Sequence, residues 1–141
     1  MREQINPSYS NQILLIGEPT FRVNNSEIIS DNKTRYLHLE FEPNVYNDSV
    51  NVKSVITYIE KADEGEIEVP VIKVVSNYDI IKTHDLTAEE LYPIVEKSWH
   101  LLNHYFLNAS PPLASRHKIP DFPQFEEMLL HLEDLAKNLN Q

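Results

Sequence analysis

The chain has no cysteine in its 141 residues. This excludes disulfides, thiolate zinc sites and a cysteine nucleophile, and it fits a reducing compartment. Only two glycines occur, Gly17 and Gly65. Phosphate-cradling loops of the GxGxxG or GxxxxGKS type are thereby excluded. Neither a GxSxG elbow nor an HExxH motif is present. No apolar run approaches the roughly 18 residues of a membrane span, so no membrane insertion is expected. The opening MREQINPSYSNQ has no apolar core of a secretory signal. Together these absences predict a soluble, cytoplasmic protein. Basic residues are also scarce, 12 Lys and Arg against 22 Asp and Glu, for a net charge of −10. A nucleic-acid footprint needs clustered cations, and SRHK at 115–118 is too short a cluster, so no nucleic-acid partner is expected. Acidity confers solubility, and it can also recruit a basic partner by electrostatic steering.

What is present is organised simply. An apolar fraction of 41% suffices for a real core, and the length is that of one domain, 1–141. QILLIGEPTFRVN (12–24) reads as a strand that breaks or bulges near Gly17 and Pro19. NNSEIISDNK reads as a polar loop. RYLHLEFE (35–42) alternates, with Leu37, Leu39 and Phe41 to one side and Tyr36, His38, Glu40 and Glu42 to the other. That is a half-buried strand with a wet, acidic face. SVNVKSVITYIEK (49–61) and IEVPVIKVVSNYDII (67–81) carry apolar residues on both sides and are joined by a hairpin in which Gly65 is free to take positive φ. Strands apolar on both sides need cover on both sides, which predicts self-association.

Beyond residue 82 the apolar spacing changes to three and four. Thr87 and Glu90 form a capping box, with Leu86 and Leu91 at staple spacing. A helix begun there would hold Pro93 at its sixth position. The reading adopted is a turn at 87–91 and a main helix from Pro93, the whole helical region covering about 88–107. A second helix, about 123–139, opens at Pro123 with the stripe Phe125, Met128, Leu129, Leu132, Leu135, Ala136 and Leu139. Four strands followed by two helices, without internal repeat, predict an α+β fold: a four-stranded antiparallel meander and two C-terminal helices.

Candidate chemistry is sparse. His100 and His104, with Glu96 one turn earlier, could share one helix face, but a zinc site needs further ligands and none is evident, so no metal is expected. His38 and His117 read as solvated. Ser110 and Ser115 have no acid or base placed beside them. The pairs Glu89–Glu90 and Glu126–Glu127 read as helix-dipole partners, because adjacent helical residues do not face each other. Neither catalysis nor a cofactor is expected. Trp99, Tyr105, Phe106, Phe122 and Phe125 are in or beside the helices and their link. They read either as core or as the lining of a groove. That link, FLNASPPLASRHKIPDFPQF (106–125), holds four of the nine prolines.

In this order of elements the chain resembles the SecB export-chaperone family. Similarity starts at EPTFRVN, with Glu18 three before Phe21, and continues through the alternating LHLEFE, the β-branched VNVKSVITYIE and YDI at 78–80. It is strongest in LYPIVEKSWHLLNHYFLNASPPL, where Tyr92, Pro93, Pro111 and Leu113 match the opening of the first helix and the entry to the helix-connecting loop. The resemblance implies a tetramer, favoured over a dimer, that holds unfolded or nascent polypeptides in apolar grooves without ATP. It implies a groove formed by Trp99, Phe106, Leu107, Leu113, Ile119 and Phe122, with the proline-rich loop as a wall stiffened before a client arrives. It also implies an acidic sheet face, Glu18, Glu40 and Glu42, that meets the SecA motor. The sequence departs from the family at Arg22 and Val71, where the family carries acidic residues. It also lacks the family's glycine-rich link before the fourth strand's end and its basic, glycine-rich C-terminal tail. These departures leave open a dedicated adaptor for one specific folded partner, as in a toxin–antitoxin or phage context.

Overall fold

The computed structural model describes residues 11–24, 33–46, 49–63, 67–108 and 119–141. Four strands, β1 (Gln12–Val23), β2 (Lys33–Val45), β3 (Val50–Ala62) and β4 (Glu68–Ile81), precede two helices, α1 (Ala88–Asn108) and α2 (Phe125–Leu139). All pairings are antiparallel. The meander holds for β2, β3 and β4. β1 joins beside β4 instead of β2, giving the order β1-β4-β3-β2. This is a Greek-key arrangement, in which one strand returns over a long connection. The loops expected around residues 25–32 and at Gly65 lie outside the described residues.

The expected irregularity in β1 is present. Ile16 pairs with Asn77 and Thr20 with Val75, so Gly17, Glu18 and Pro19 stand opposite Ser76 alone. Gly17 takes φ +66°, and a Cβ there would meet nothing within 4 Å. Conformation, not space, therefore asks for glycine at this position. Pro19, which has no N–H for a ladder, sits in the bulge where none is needed. A second bulge gives Val71 and Ile72 a shared place in β4, and both are fully buried.

Alternation splits the sheet into a helix face and a far face. On the helix face, Val50, Val52, Tyr78 and Ile80 pack with Leu91, Ile94 and Val95 of α1 and Met128, Leu132, Leu135 and Leu139 of α2. Farther along the sheet, Ile56, Tyr58, Val71, Ile72 and Val74 pack with Leu102, Phe106 and Ile119. Between these two clusters lies a layer of hydroxyls. Ser54 and Ser98 are 2.9 Å apart, Tyr78 is 3.4 Å from each of Ser98 and Ser76, and all four side chains are buried. Hydroxyls this small let α1 approach the sheet, and each finds a partner where water cannot reach.

The far face is more polar than two-sided strands imply. From β3 it receives Asn51, Lys53, Val55, Thr57, Ile59 and Lys61, so its apolar share is Val55 and Ile59. The buried hydrophobic residues of both strands point to the helices, with the bulge bringing Val71 and Ile72 together.

α1 begins at Ala88, not at Pro93. The capping box forms: the Glu90 N–H donates to Thr87 Oγ1 at 3.3 Å, and the Thr87 N–H donates to Glu90 Oε1 at 3.1 Å. Pro93 therefore lies inside the helix, where it cannot donate to the carbonyl four residues back. Glu89 and Pro93 are both exposed, so solvent can serve that group. α2 likewise begins two residues after Pro123, at Phe125, capped by Gln124, whose N–H donates to Glu127 Oε1 at 3.3 Å. Its far end is clamped to the chain before α1. The Asn140 side chain accepts from the Leu86 N–H at 2.8 Å and donates to the Leu86 carbonyl at 3.0 Å.

Candidate functional site

β2 is an edge strand, paired to β3 alone among the described strands. Its open edge runs along a groove whose opposite wall is the segment 120–128 and the start of α2. A cleft of about 620 Å³ is lined by residues 35–39 of β2 and by Pro120, Phe122, Pro123, Met128 and His131 opposite. A smaller cleft of about 180 Å³ shares Leu39 and His131 and continues past Phe41 and Pro43 to Asn138. From Arg35 to Pro43 the groove follows the strand for about 26 Å at roughly 3.3 Å per residue.

The 120–128 wall is held by α1. Trp99 Nε1 donates to the Pro120 carbonyl at 3.1 Å, and the Tyr92 hydroxyl donates to the Pro123 carbonyl. Phe122 packs against Tyr92, Trp99 and His100, with ring centroids 5.5, 5.7 and 6.0 Å away. Proline carbonyls, whose backbone makes no competing N–H bonds, thus anchor the chain as it enters α2. Burial holds the Tyr92 phenol above its usual pKa, and Glu96, Glu126 and Glu127 add to the effect. The hydroxyl stays protonated and able to donate.

The expected groove residues are divided by this arrangement. Phe122 lines the cleft. Trp99 stands behind it, half-buried. Phe106 and Ile119 are buried in the second core cluster. Leu107 falls on α1, but its side chain is outside the described residues, as is Leu113 altogether. The three acidic residues do not converge. Glu40 and Glu42 are on the far face of β2, while Glu18 is in the β1 bulge on the opposite edge of the sheet, three strand spacings or about 14 Å across. Glu40 is also 2.9 Å from His38 Nε2, and Glu42 is 3.9 Å from Lys53 Nζ. His100 and His104 are both exposed. The first stacks on Phe122 and the second lies beside Asn108, and among the described residues no group of three or more side chains could hold a metal ion.

One prominent residue carries no signal in the strand pattern. Glu60 is fully buried on the helix face of β3. It accepts from Tyr58 Oη at 2.6 Å and from Lys33 Nζ at 3.1 Å, with Arg35 Nε 3.7 Å away. This cluster fixes the start of β2, the end at which the groove opens. In the sequence the only hint is that Glu60 occupies the same alternating set as Ile56 and Tyr58.

No family model matches the chain, and no curated protein matches it. Among solved structures it is similar to a SecB-like chaperone of Mycobacterium tuberculosis in complex with a peptide from an antitoxin. The two are 12% identical with a TM-score of 0.47, over 81% of this chain and 91% of that one. No described helix is long and apolar enough to cross a membrane.

Proposed function

We propose that the groove along β2 holds an extended segment of non-native polypeptide, without nucleotide or cofactor, in the manner of a SecB-like chaperone. The observation that carries this reading is a strand edge, unpaired among the described residues, that forms one wall of a groove lined by Leu37, Leu39, Phe122 and Met128 together with ionisable side chains. Unpaired N–H and C=O groups on an edge can bond the backbone of any sequence. Leu37, Leu39, Phe122 and Met128 then receive alternate side chains of the guest. Leu107 and Leu113 would extend the wall, with Phe106 and Ile119 supporting it from the core. The working form is a cytoplasmic homo-oligomer, a tetramer ahead of a dimer, and Glu40 and Glu42 remain the surface for a basic partner such as SecA, without Glu18.

A second reading is a dedicated adaptor for one partner. It is favoured by the ionisable side chains in the cleft: Arg35, His38, Asp121, Glu127 and His131. Such a lining rejects sequences that leave those charges unpaired. Suppression of aggregation of two unrelated unfolded proteins separates the two. Since the chain lacks cysteine, His38→Cys provides one labelling point for a crosslinker. The chaperone reading expects both proteins to be protected and crosslinked at position 38. Protection of neither, or crosslinks only from a cysteine placed on the far side of α1, such as Lys97→Cys, would sink it.

A further inference from the structure

Charge in the sheet is arranged with one exception. Arg35 stands opposite Glu60, Lys53 opposite Glu42, and Lys61 opposite Glu68. Arg22 of β1, by contrast, stands opposite Lys73 of β4. Like charges in directly opposed positions destabilise a ladder. Neither side chain has an ion-pair partner among the described residues, and both are exposed. Thr57, next in the same row across the sheet, is buried, and His38 follows it on β2. The row is thus cationic across β1 and β4 in a chain whose net charge is −10. It borders an open pocket of about 620 Å³ lined by Arg22, Val23, Asn24, Thr57, Pro70 and Lys73.

We propose that this pocket, on the far face of the sheet, binds an acidic segment of a partner polypeptide, with its carboxylates between Arg22 and Lys73. Charge complementarity selects the occupant. A carboxylate between the two cations converts a repulsive pair into two attractive ones, and the guanidinium can take it in bidentate fashion. Val23 and Pro70 offer apolar contact that the methylenes of a Glu side chain use and an inorganic anion does not. Nucleic acid is disfavoured because the described residues form no longer basic stripe here and because Glu40 and Glu42 lie two strands away. This surface is separate from the β2 groove, so it stands or falls independently of the proposed function.

The test is anisotropy of a labelled short peptide alternating Glu and Val. Wild type should bind it, and added salt should weaken binding. Arg22→Ala and Lys73→Ala should each weaken binding, and the double variant should weaken it by about tenfold or more. Lys97→Ala, which removes an exposed cation on α1, should leave binding unchanged. Melting temperature should hold or rise in the single variants, because each relieves the repulsion. The proposal is overturned if wild type does not bind the peptide or if the double variant binds it as wild type does. It is equally overturned if Lys97→Ala loses as much, or if inorganic phosphate or a DNA oligonucleotide occupies this pair in the peptide's place.

Discussion

At the scale of single residues, burial decides which charges matter. Among the described residues Glu60 is the fully buried carboxylate, and cations of β2 lie beside it. Glu60→Ala would remove the buried carboxylate that accepts from Lys33, whose side chain is 10% exposed. Removing one partner of a buried pair costs about 3–5 kcal/mol, so chemical denaturation should show a loss of that order. Glu42→Ala, at an exposed pair, should change stability by less than about 1 kcal/mol. Tyr36 provides a pH test. Its hydroxyl donates to Glu68 at 2.6 Å, and that bond, then partial burial and the carboxylate's charge, raise the phenol above its ordinary pKa of about 10. A raised pKa means that the contribution is fully present below the unfolded value and is lost as pH climbs through the folded one. Stability should therefore fall above about pH 10, and more shallowly in Tyr36→Phe, as followed by denaturation at a series of alkaline pH values.

At the scale of elements, the first helix holds two opposed features within its first two turns. The capping box at Thr87 and Glu90 satisfies donors at its start, whereas Pro93 removes a bond within it. Thr87→Ala should cost about 1 kcal/mol. Pro93→Ala should be stabilising by up to about 3 kcal/mol, because the exposed position lets alanine restore the helical bond without a clash. Thermal melts of the two variants should move in opposite directions. If both fall, the helix does not begin at Ala88. The segment entering α2 behaves differently from a loose wall at one point. Ile119 is buried beneath Leu102 and Phe106, so Ile119→Ser should lower the melting point by an amount corresponding to about 2–5 kcal/mol. Holding activity of the folded fraction should be unaltered.

At the scale of the whole molecule, the exposed hydrophobic residues are unevenly placed. Leu14, Ile16 and Ile81 are 49, 41 and 51% exposed and lie on the far face of β1 and its neighbour β4. They leave an apolar patch at the start of β1 and the end of β4, at the other end of this face from the Arg22–Lys73 row. Self-association through that patch is the expected outcome, with a mass above that of one chain by light scattering at micromolar protein. Leu14→Lys with Ile16→Lys should shift the particle toward monomer. A monomer in the wild type would remove this expectation, and with it the tetramer.

The pattern of local signals was legible without coordinates. Alternation located β2, the shift to three-and-four spacing located both helices, Gly17 with Pro19 marked the bulge, and Thr87 with Glu90 marked a helix start. Each of these is set by neighbours within a few residues, through backbone sterics and capping geometry. Pro93 misleads because its local preference for a first-turn position is overridden by the Thr87 cap six residues earlier and by Leu91, Ile94 and Val95, which pack as one continuous helical stripe. The site was less legible. Phe122 was named on aromatic content, but the groove belongs equally to Leu37 and Leu39, which read as ordinary strand core until β2 proved to be an edge. Which strand lies at an edge, which carboxylate is buried and which cations face each other depend on how distant segments pair. The seating of β1 beside β4 placed Arg22 against Lys73 and left Glu18 far from Glu40. Strand partnership is settled by the joint burial of apolar faces and the reach of connections. No local periodicity encodes it, so the tertiary structure alone decided where the groove and the cationic pair lie.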